Sequence, residues 1–397
     1  MRTILHITRM NFLSTKAHVY TTTKTCEALA KQAGIEVILL SSDNSLQSRE
    51  AKESFFARHE IDKRFAIVSL SSFGNRLKKS SWKPVNWLET IAVNLSIARY
   101  VLTHRDKYDI LYFRDSSIFV PILISKYVLH KPMYMELHAV LHKKYKQQLN
   151  DFCAKISDGL VAISYGLKEY YERFNKNIIV SFCAAPEPER FARITHTKPE
   201  LRAKLGLPQD KTILLYSGNM GMTGNYDSYG IEDIVNALPL LDDSIIFVGV
   251  GKKGNECEAH EELATILGVR ERVMFLPWTE MQVVAEYCRA ADILVLPASG
   301  AQIGNSPTKM FNNLVSGRLM VAARTQAIEE VLKDGRNALL VSDYKNPQEW
   351  AKVINRSLGD AELSQRIIAG ALEDSKMYSW EKRGEAITRF IVHSTSS

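Results

Sequence analysis

Short runs that are apolar throughout recur along the chain, separated by stretches long enough for a helix. In the first half they are TILHIT (3–8), EVILL (36–40), DILYFR (109–114), MYMEL (133–137), GLVAIS (159–164) and IIVSF (178–182). The second half restarts the rhythm with TILLYSG (212–218), SIIFVGV (244–250), RVMFLP (272–277), DILVLP (292–297), LMVAA (319–323) and ALLV (338–341). Strands without a polar face must be covered on both sides, and helix-length spacers make neighbouring strands parallel. The pattern therefore predicts an α/β protein with doubly wound parallel sheets. AHVYTTTKTCEALAKQ (17–32) reads as the first covering helix.

The rhythm breaks in CAAPEPERFARITHTKPELRAKLGLPQD (183–210), which is rich in proline and charge and has no strand pattern. It predicts residues 1–185 as one domain, 186–210 as a linker and 211–376 as a second domain. The tail, 377–397, predicts a last helix with Trp380, Ala386, Ile387, Phe390 and Ile391 on its apolar side. Open α/β sheets bind ligands at the carboxyl ends of their strands. Two such domains facing a cleft suit a two-substrate enzyme.

Composition narrows this picture only a little. With 46% hydrophobic and 24% charged residues the chain is an ordinary globular one. MRTILHITRM reads directly as a strand, with no leader pattern. The most apolar stretch, Ser117 to Leu129, is too short to cross a bilayer and carries Lys126. Five widely spaced cysteines without a CxxC point to a reducing cytoplasm. The net charge of +7 leaves phosphorylated substrates and anionic membranes open. No zinc-finger spacing, RNP-like motif or basic helix favours nucleic acid. Basic, aromatic-rich segments at 75–108, with Lys78, Lys79 and Lys83, and at 141–149 read either as solvated faces or as a membrane-docking surface.

Candidate chemistry concentrates in SPTKMFNNLVSG (306–317). Ser306 suits a helix N-cap and Pro307 the first helical position. Met310, Phe311, Leu314 and Val315 then form an apolar stripe, with Lys309, Asn312, Asn313 and Ser316 on the opposite one. A lysine in the first turn opposes the helix dipole, and an anion held at the same end would offset that conflict. The plainer alternative is a lysine pointing at water.

Extended to Ala323, this segment resembles P-x-K-[LM]-[FY]-E-Y-[LM]-A-S-G-x-P-V-V-A of the retaining GT-B glycosyltransferases of the group 1, family 4-like type. LLYSGNMG, GIEDIVNALPLL, IIFVGVGKKG, RVMFLPWTEMQVVAEYCRAADILVLP and IEEVLKDGRNALLV resemble the family's other elements in order, over about 180 residues. The tail with Trp380 resembles its last helix, which returns to the N-terminal domain. The first half matches more loosely, through STKAHVYTTTKTCEALAKQAGIEVILL, LYFRDS, PMYMELHAV and DGLVAISYGLKEYY. The resemblance implies two Rossmann-like domains facing a cleft, the first for the acceptor and the second for a UDP-, GDP- or ADP-sugar.

Carried across, the family's E-x7-E pair falls on Gly304 and Asn312, so neither glutamate is present. Asn312 stands where the ribose is bound, and an amide oxygen still accepts a hydrogen bond. The family's cationic positions after the glycine turn hold Asn219 and Tyr229, which leaves Lys309 as the cation for the diphosphate. Gly218 belongs to that turn, and Ile303, Gly304 and Asn305 could offer backbone N–H groups to the donor sugar. Trp278, just past a strand, packs either on the base or in the core.

In the first half, His138 ends a strand, and the resemblance implies a histidine that holds a hydroxyl of the transferred sugar. Glu136 falls on the same side of that strand. Arg114 and Lys16 are candidates for a phosphate or the acceptor, with an Arg114–Asp115 surface pair as the alternative. His138 and His142 are four apart, but no third metal ligand is evident. GVGKKG (249–254) has the G-x-G-x-x-G spacing, yet it sits in the second unit of its domain and no acidic residue ends the next strand.

The expected protein is thus a cytoplasmic glycosyltransferase, acting at or near the inner membrane face in cell-surface polysaccharide biosynthesis. Its partners are a nucleotide sugar and a glycan or lipid-linked acceptor, with no cofactor and no metal. A catalytically silent homologue serving as a partner subunit, and an NAD-dependent oxidoreductase, are the alternatives.

Overall fold

A computed structural model describes residues 1–14, 17–70, 83–141, 143–223, 226–227, 229–298 and 308–394. They form two compact units. One comprises the described residues of Met1–Ala184 and the C-terminal helix Trp380–Ser394; the other comprises those of Ala185–Ala301 and Pro307–Tyr378.

The first unit is a seven-stranded parallel sheet of β1 (Arg2–Thr8), β2 (Ile35–Ser41), β3 (Ala66–Ser69), β4 (Ile110–Phe113), β5 (Met133–Leu137), β6 (Gly159–Ala162) and β7 (Ile178–Val180). Its order is β3-β2-β1-β4-β5-β6-β7, so the winding reverses between β1 and β4. Alternate residues of each strand face opposite layers, which explains the unbroken apolar runs. Leu5, Ile7, Leu111, Phe113, Met133 and Met135 pack under Val93, Ile97 and Val101 of the helix Lys83–Thr103. Ile4, Val37, Leu39, Ile110, Tyr112 and Tyr134 pack on the other side, where Ile387 and Ile391 of the C-terminal helix close the core.

The second unit holds β8 (Thr212–Ser217), a two-stranded hairpin of β9 (Met222–Thr223) and β10 (Tyr226–Asp227), then β11 (Ile245–Lys252), β12 (Val273–Pro277), β13 (Ile293–Leu296), β14 (Leu319–Ala323) and β15 (Leu339–Val341). Its six-stranded parallel sheet has the order β12-β11-β8-β13-β14-β15. Winding reverses here between β8 and β13. The five cysteines are free and buried, three in the first unit and two in the second.

The structure departs from the sequence reading in five places. The segment 186–210, expected as a linker, folds as the helices Pro188–Ala192 and Lys198–Leu205 within the second unit. Its Phe191, Leu201 and Leu207 enter that unit's core. Buried Arg202 secures it by donating to Asp292 at 2.6 Å and to the carbonyls of Ala290 and Lys211. Asn313 and Ser316, expected on a polar face, are buried, because the described helix Thr308–Leu314 is short and turns at once into β14. On the C-terminal helix Ala386 is exposed, and Arg383 and Gly384 share the buried face with Ile387 and Ile391. The edge strand β3 and the hairpin strands β9 and β10 have no counterpart among the expected strands.

Candidate functional site

The reversal between β1 and β4 opens a cavity of about 250 Å³ at the carboxyl ends of the first unit's strands. Thr8, Arg9 and Met10 follow β1, Arg114, Asp115 and Ser116 follow β4, and Glu136 and His138 lie at and beyond the end of β5. His18, at the start of the helix Ala17–Ala30, completes the side facing β1. β1 and β4 stay paired from Ile4–Ile110 to Ile7–Phe113, and the connections that leave them run to opposite sides of the sheet, which leaves a crevice outside their carboxyl ends.

Glu136 is only 4% exposed and fully engaged. Its Oε2 accepts the Tyr112 hydroxyl at 2.5 Å and Nη2 of Arg383 at 2.7 Å, and its Oε1 meets His138 Nε2 at 2.5 Å. Burial opposes its charge, but Arg383 first, then His138 and Arg114, hold the carboxyl well below the usual carboxylate range. An ionised carboxylate only accepts, so Nε2 of His138 carries the proton. Burial, reinforced by Arg114, lowers the His138 pKa to about 4. The ring is therefore neutral near pH 7, and Nδ1 is an acceptor with no partner among the described residues. Arg114 donates to Thr22 Oγ1 at 3.1 Å and forms no ion pair with Asp115 or any other carboxylate among the described residues.

In the second unit the reversal between β8 and β13 is where Gly218, Asn219 and Lys309 meet. Gly218 follows β8 at φ +134°, and a Cβ there would lie 2.5 Å from Lys309 Nζ. The Lys309 ammonium stands 3.8 Å from the centre of the Tyr216 ring and donates to its hydroxyl at 2.5 Å. Tyr216 donates onward to the Asn219 carbonyl at 2.8 Å, and Asn219 Nδ2 donates to Tyr229 at 2.7 Å. Thus Asn219 and Tyr229, the two positions without a cation, join one hydrogen-bonded chain with the lysine. No carboxylate among the described residues pairs with Lys309, and burial lowers its pKa to about 7. Asn312 Oδ1 is buried without a donor among the described residues, an acceptor available to a hydroxyl. Trp278 is 42% exposed beyond the end of β12, so it is not a core residue.

GVGKKG runs as strand β11 to Lys252, is followed by a turn and does not open a helix. Gly251, at φ +128°, has room for no Cβ because Gly218 O would be 2.3 Å away, and the next helix begins only at Glu258. Lys16, His142, Ile303, Gly304, Asn305 and Ser306 lie outside the described residues, as do Lys78 and Lys79. Among the described residues no cluster of three histidine, cysteine or acidic groups could hold a metal ion. Sequence reasoning missed Tyr216, Tyr112 and Arg383. Tyr216 and Tyr112 lie inside strands where an aromatic residue signals core, and Arg383 lies 247 residues from its partner.

Two doubly wound units, each with a ligand-sized opening or a charged turn at its reversal point, define the GT-B architecture. The whole chain superposes on sucrose-phosphate synthase from Thermosynechococcus elongatus, with a TM-score of 0.77, 15% identity and 100% of both chains covered. It superposes equally well on the HepE protein of Anabaena solved with UDP and glucose, with a TM-score of 0.76, 14% identity and 99% and 100% coverage. At such identity the likeness is one of fold.

Sequence adds the narrower statement. Residues 211–360 match the family described as Glycosyl transferases group 1, so the second unit contains a group 1 glycosyltransferase domain. A D-inositol 3-phosphate glycosyltransferase of a Nocardioides species is 29% identical over 192 residues, 45% of this chain and 41% of that protein. The match thus spans less than half the length of this curated relative.

Proposed function

We propose that the protein transfers a sugar from a UDP-, GDP- or ADP-sugar to a glycan or lipid-linked acceptor, retaining the anomeric configuration without a bound metal. The observation that carries this reading is Lys309, an ammonium without a carboxylate partner among the described residues, at the carboxyl-end turn of a group 1 glycosyltransferase domain. Breaking the bond between the anomeric carbon and the diphosphate leaves negative charge on the departing oxygen and positive charge on the sugar. Lys309 would donate to the diphosphate, Asn312 Oδ1 would accept a ribose hydroxyl, and Trp278 would cover the base. In the first unit, His138 Nδ1 would accept a sugar hydroxyl and Arg114 would hold an anionic part of the acceptor.

The first unit also carries an apolar stripe on the solvent side of the helix Lys83–Thr103, with Trp87 68% and Leu95 60% exposed beside Leu88, Ile91 and Leu102. Lys143, Lys144 and Lys146 are exposed on the same unit. These features support work at the anionic inner face of a membrane, in cell-surface polysaccharide biosynthesis, although among the described residues no helix is long and apolar enough to cross one.

Thermal unfolding in the presence of UDP-, GDP- and ADP-sugars and of NAD tests the reading. A nucleotide sugar should raise the melting temperature, and Lys309→Ala should abolish the rise. Stabilisation by NAD alone, or by none of these, overturns it. Asn312 in place of a glutamate favours a second reading, a silent partner subunit, which binds the donor but releases no nucleoside diphosphate with any acceptor.

A further inference from the structure

Nothing in the chemistry of sugar transfer requires the C-terminal helix to hold a residue of the first unit's cavity, yet one of its side chains bonds to Glu136, which lines it. Arg383 is 4% exposed and spends every arm of its fork. Nε donates to Thr25 Oγ1 at 3.1 Å, and Nη1 donates to the carbonyls of Ser181 at 2.5 Å and Phe182 at 3.0 Å. Nη2 reaches Glu136 at 2.7 Å, and the side chains of this ion pair are 3% and 4% exposed. Glu136 in turn holds His138.

We propose that Arg383 is a positioning residue: acting through Glu136, it keeps His138 as the neutral Nε2–H tautomer, so that Nδ1 accepts a hydroxyl of the sugar bound in the cavity. This rests on the transferase reading for the identity of the ligand, but not for the linkage between the three side chains. A buried carboxylate needs a positive partner. While Arg383 supplies it, the His138 ring remains neutral. Without Arg383, the nearest group able to become a cation against Glu136 is the His138 ring itself. Protonation then puts a hydrogen on Nδ1 and turns the acceptor into a donor.

The other groups facing this pair do not replace Arg383. Arg114, after β4, favours the charge on Glu136 less than Arg383 does, disfavours charge on His138 and donates to Thr22 rather than to the carboxylate. His6 on β1 is buried and its pKa is lowered to about 4, by burial above all. Tyr112 on β4 donates to Glu136 but is neutral, and burial raises the thiols of Cys26 and Cys183.

The test is a pH titration of the full-length chain labelled with ¹⁵N-histidine, read in long-range proton–nitrogen spectra, with His138→Asn to assign the ring. The wild-type ring should stay neutral with the proton on Nε2 from pH 6 to 8. In Arg383→Met its charging midpoint should rise by at least one pH unit, and Arg383→Lys, which keeps the charge, should restore most of the wild-type behaviour. An unchanged midpoint in folded Arg383→Met overturns the proposal. If Arg383→Met does not fold, Glu136→Gln decides. There the pure Nε2–H tautomer should give way to a mixture, and an unchanged spectrum overturns the proposal. None of these readouts needs a donor or an acceptor. Failure here therefore leaves the nucleotide-sugar result standing, and the reverse holds equally.

Discussion

Lys309 shows how a local conflict in the sequence becomes chemistry. The ammonium rests on the Tyr216 ring and hydroxyl, which stabilise it without neutralising it. A diphosphate oxygen would complete the arrangement and raise its pKa from about 7. The sign is fixed: the free side chain is mostly neutral at pH 8, the bound one charged, so nucleotide binding must take up a proton there and not at pH 6. Calorimetry of UDP or GDP binding in buffers of different ionisation heat should show uptake approaching one proton at pH 8, lost in Lys309→Ala. Binding that is independent of buffer at both pH values contradicts a lysine contact. What was legible at this scale was the unusual position of Lys309 and the end of β5 at His138. Tyr216 and Arg383 were not, since an aromatic inside a strand and an arginine on a surface-like helix carry no local sign of long-range pairing.

At the scale of elements, all twelve apolar runs became strands, because a strand buried on both faces leaves an unambiguous composition. The exceptions are the hairpin strands β9 and β10, of two residues each, and β3, an edge strand of four residues, two of them only partly buried, so their signals are weak. The segment 186–210 has the proline and charge of a linker, but the charge includes Arg202, pointing inward to Asp292. The C-terminal helix is held by close approach as well as by apolar contact. A Cβ at Gly384 would lie 2.4 Å from the Ala28 carbonyl of the helix Ala17–Ala30. Gly384→Ala should therefore destabilise the chain by about 1–3 kcal/mol despite the better helix propensity of alanine. A lower denaturant midpoint for the first unit would register this, and a raised one would show that the two helices can separate without cost.

At the scale of the whole molecule, the repeated reversal of winding is what the sequence could not state directly, since strand order depends on which crossovers go left and which right. The exposed stripe on the helix Lys83–Thr103 also belongs here. Burial of Trp87 and Leu95 in a bilayer interface is worth about 1.5–3 kcal/mol each. The double variant Trp87→Ser, Leu95→Ser should consequently bind anionic vesicles at least about tenfold more weakly, with no change in binding of the nucleotide sugar to the second unit. Equal vesicle binding by wild type and variant would assign the stripe another role.

The five buried thiols add a consequence of a different kind. Burial raises the pKa of each, to about 11 or 12 for Cys153, Cys183, Cys257 and Cys288 and well above the ordinary thiol value for Cys26, so the folded chain offers almost no thiolate to an alkylating reagent. Since Cys26, Cys153 and Cys183 belong to one unit and Cys257 and Cys288 to the other, each unit carries its own chemical clock. The rate at which each set becomes modified records how often that half of the molecule opens.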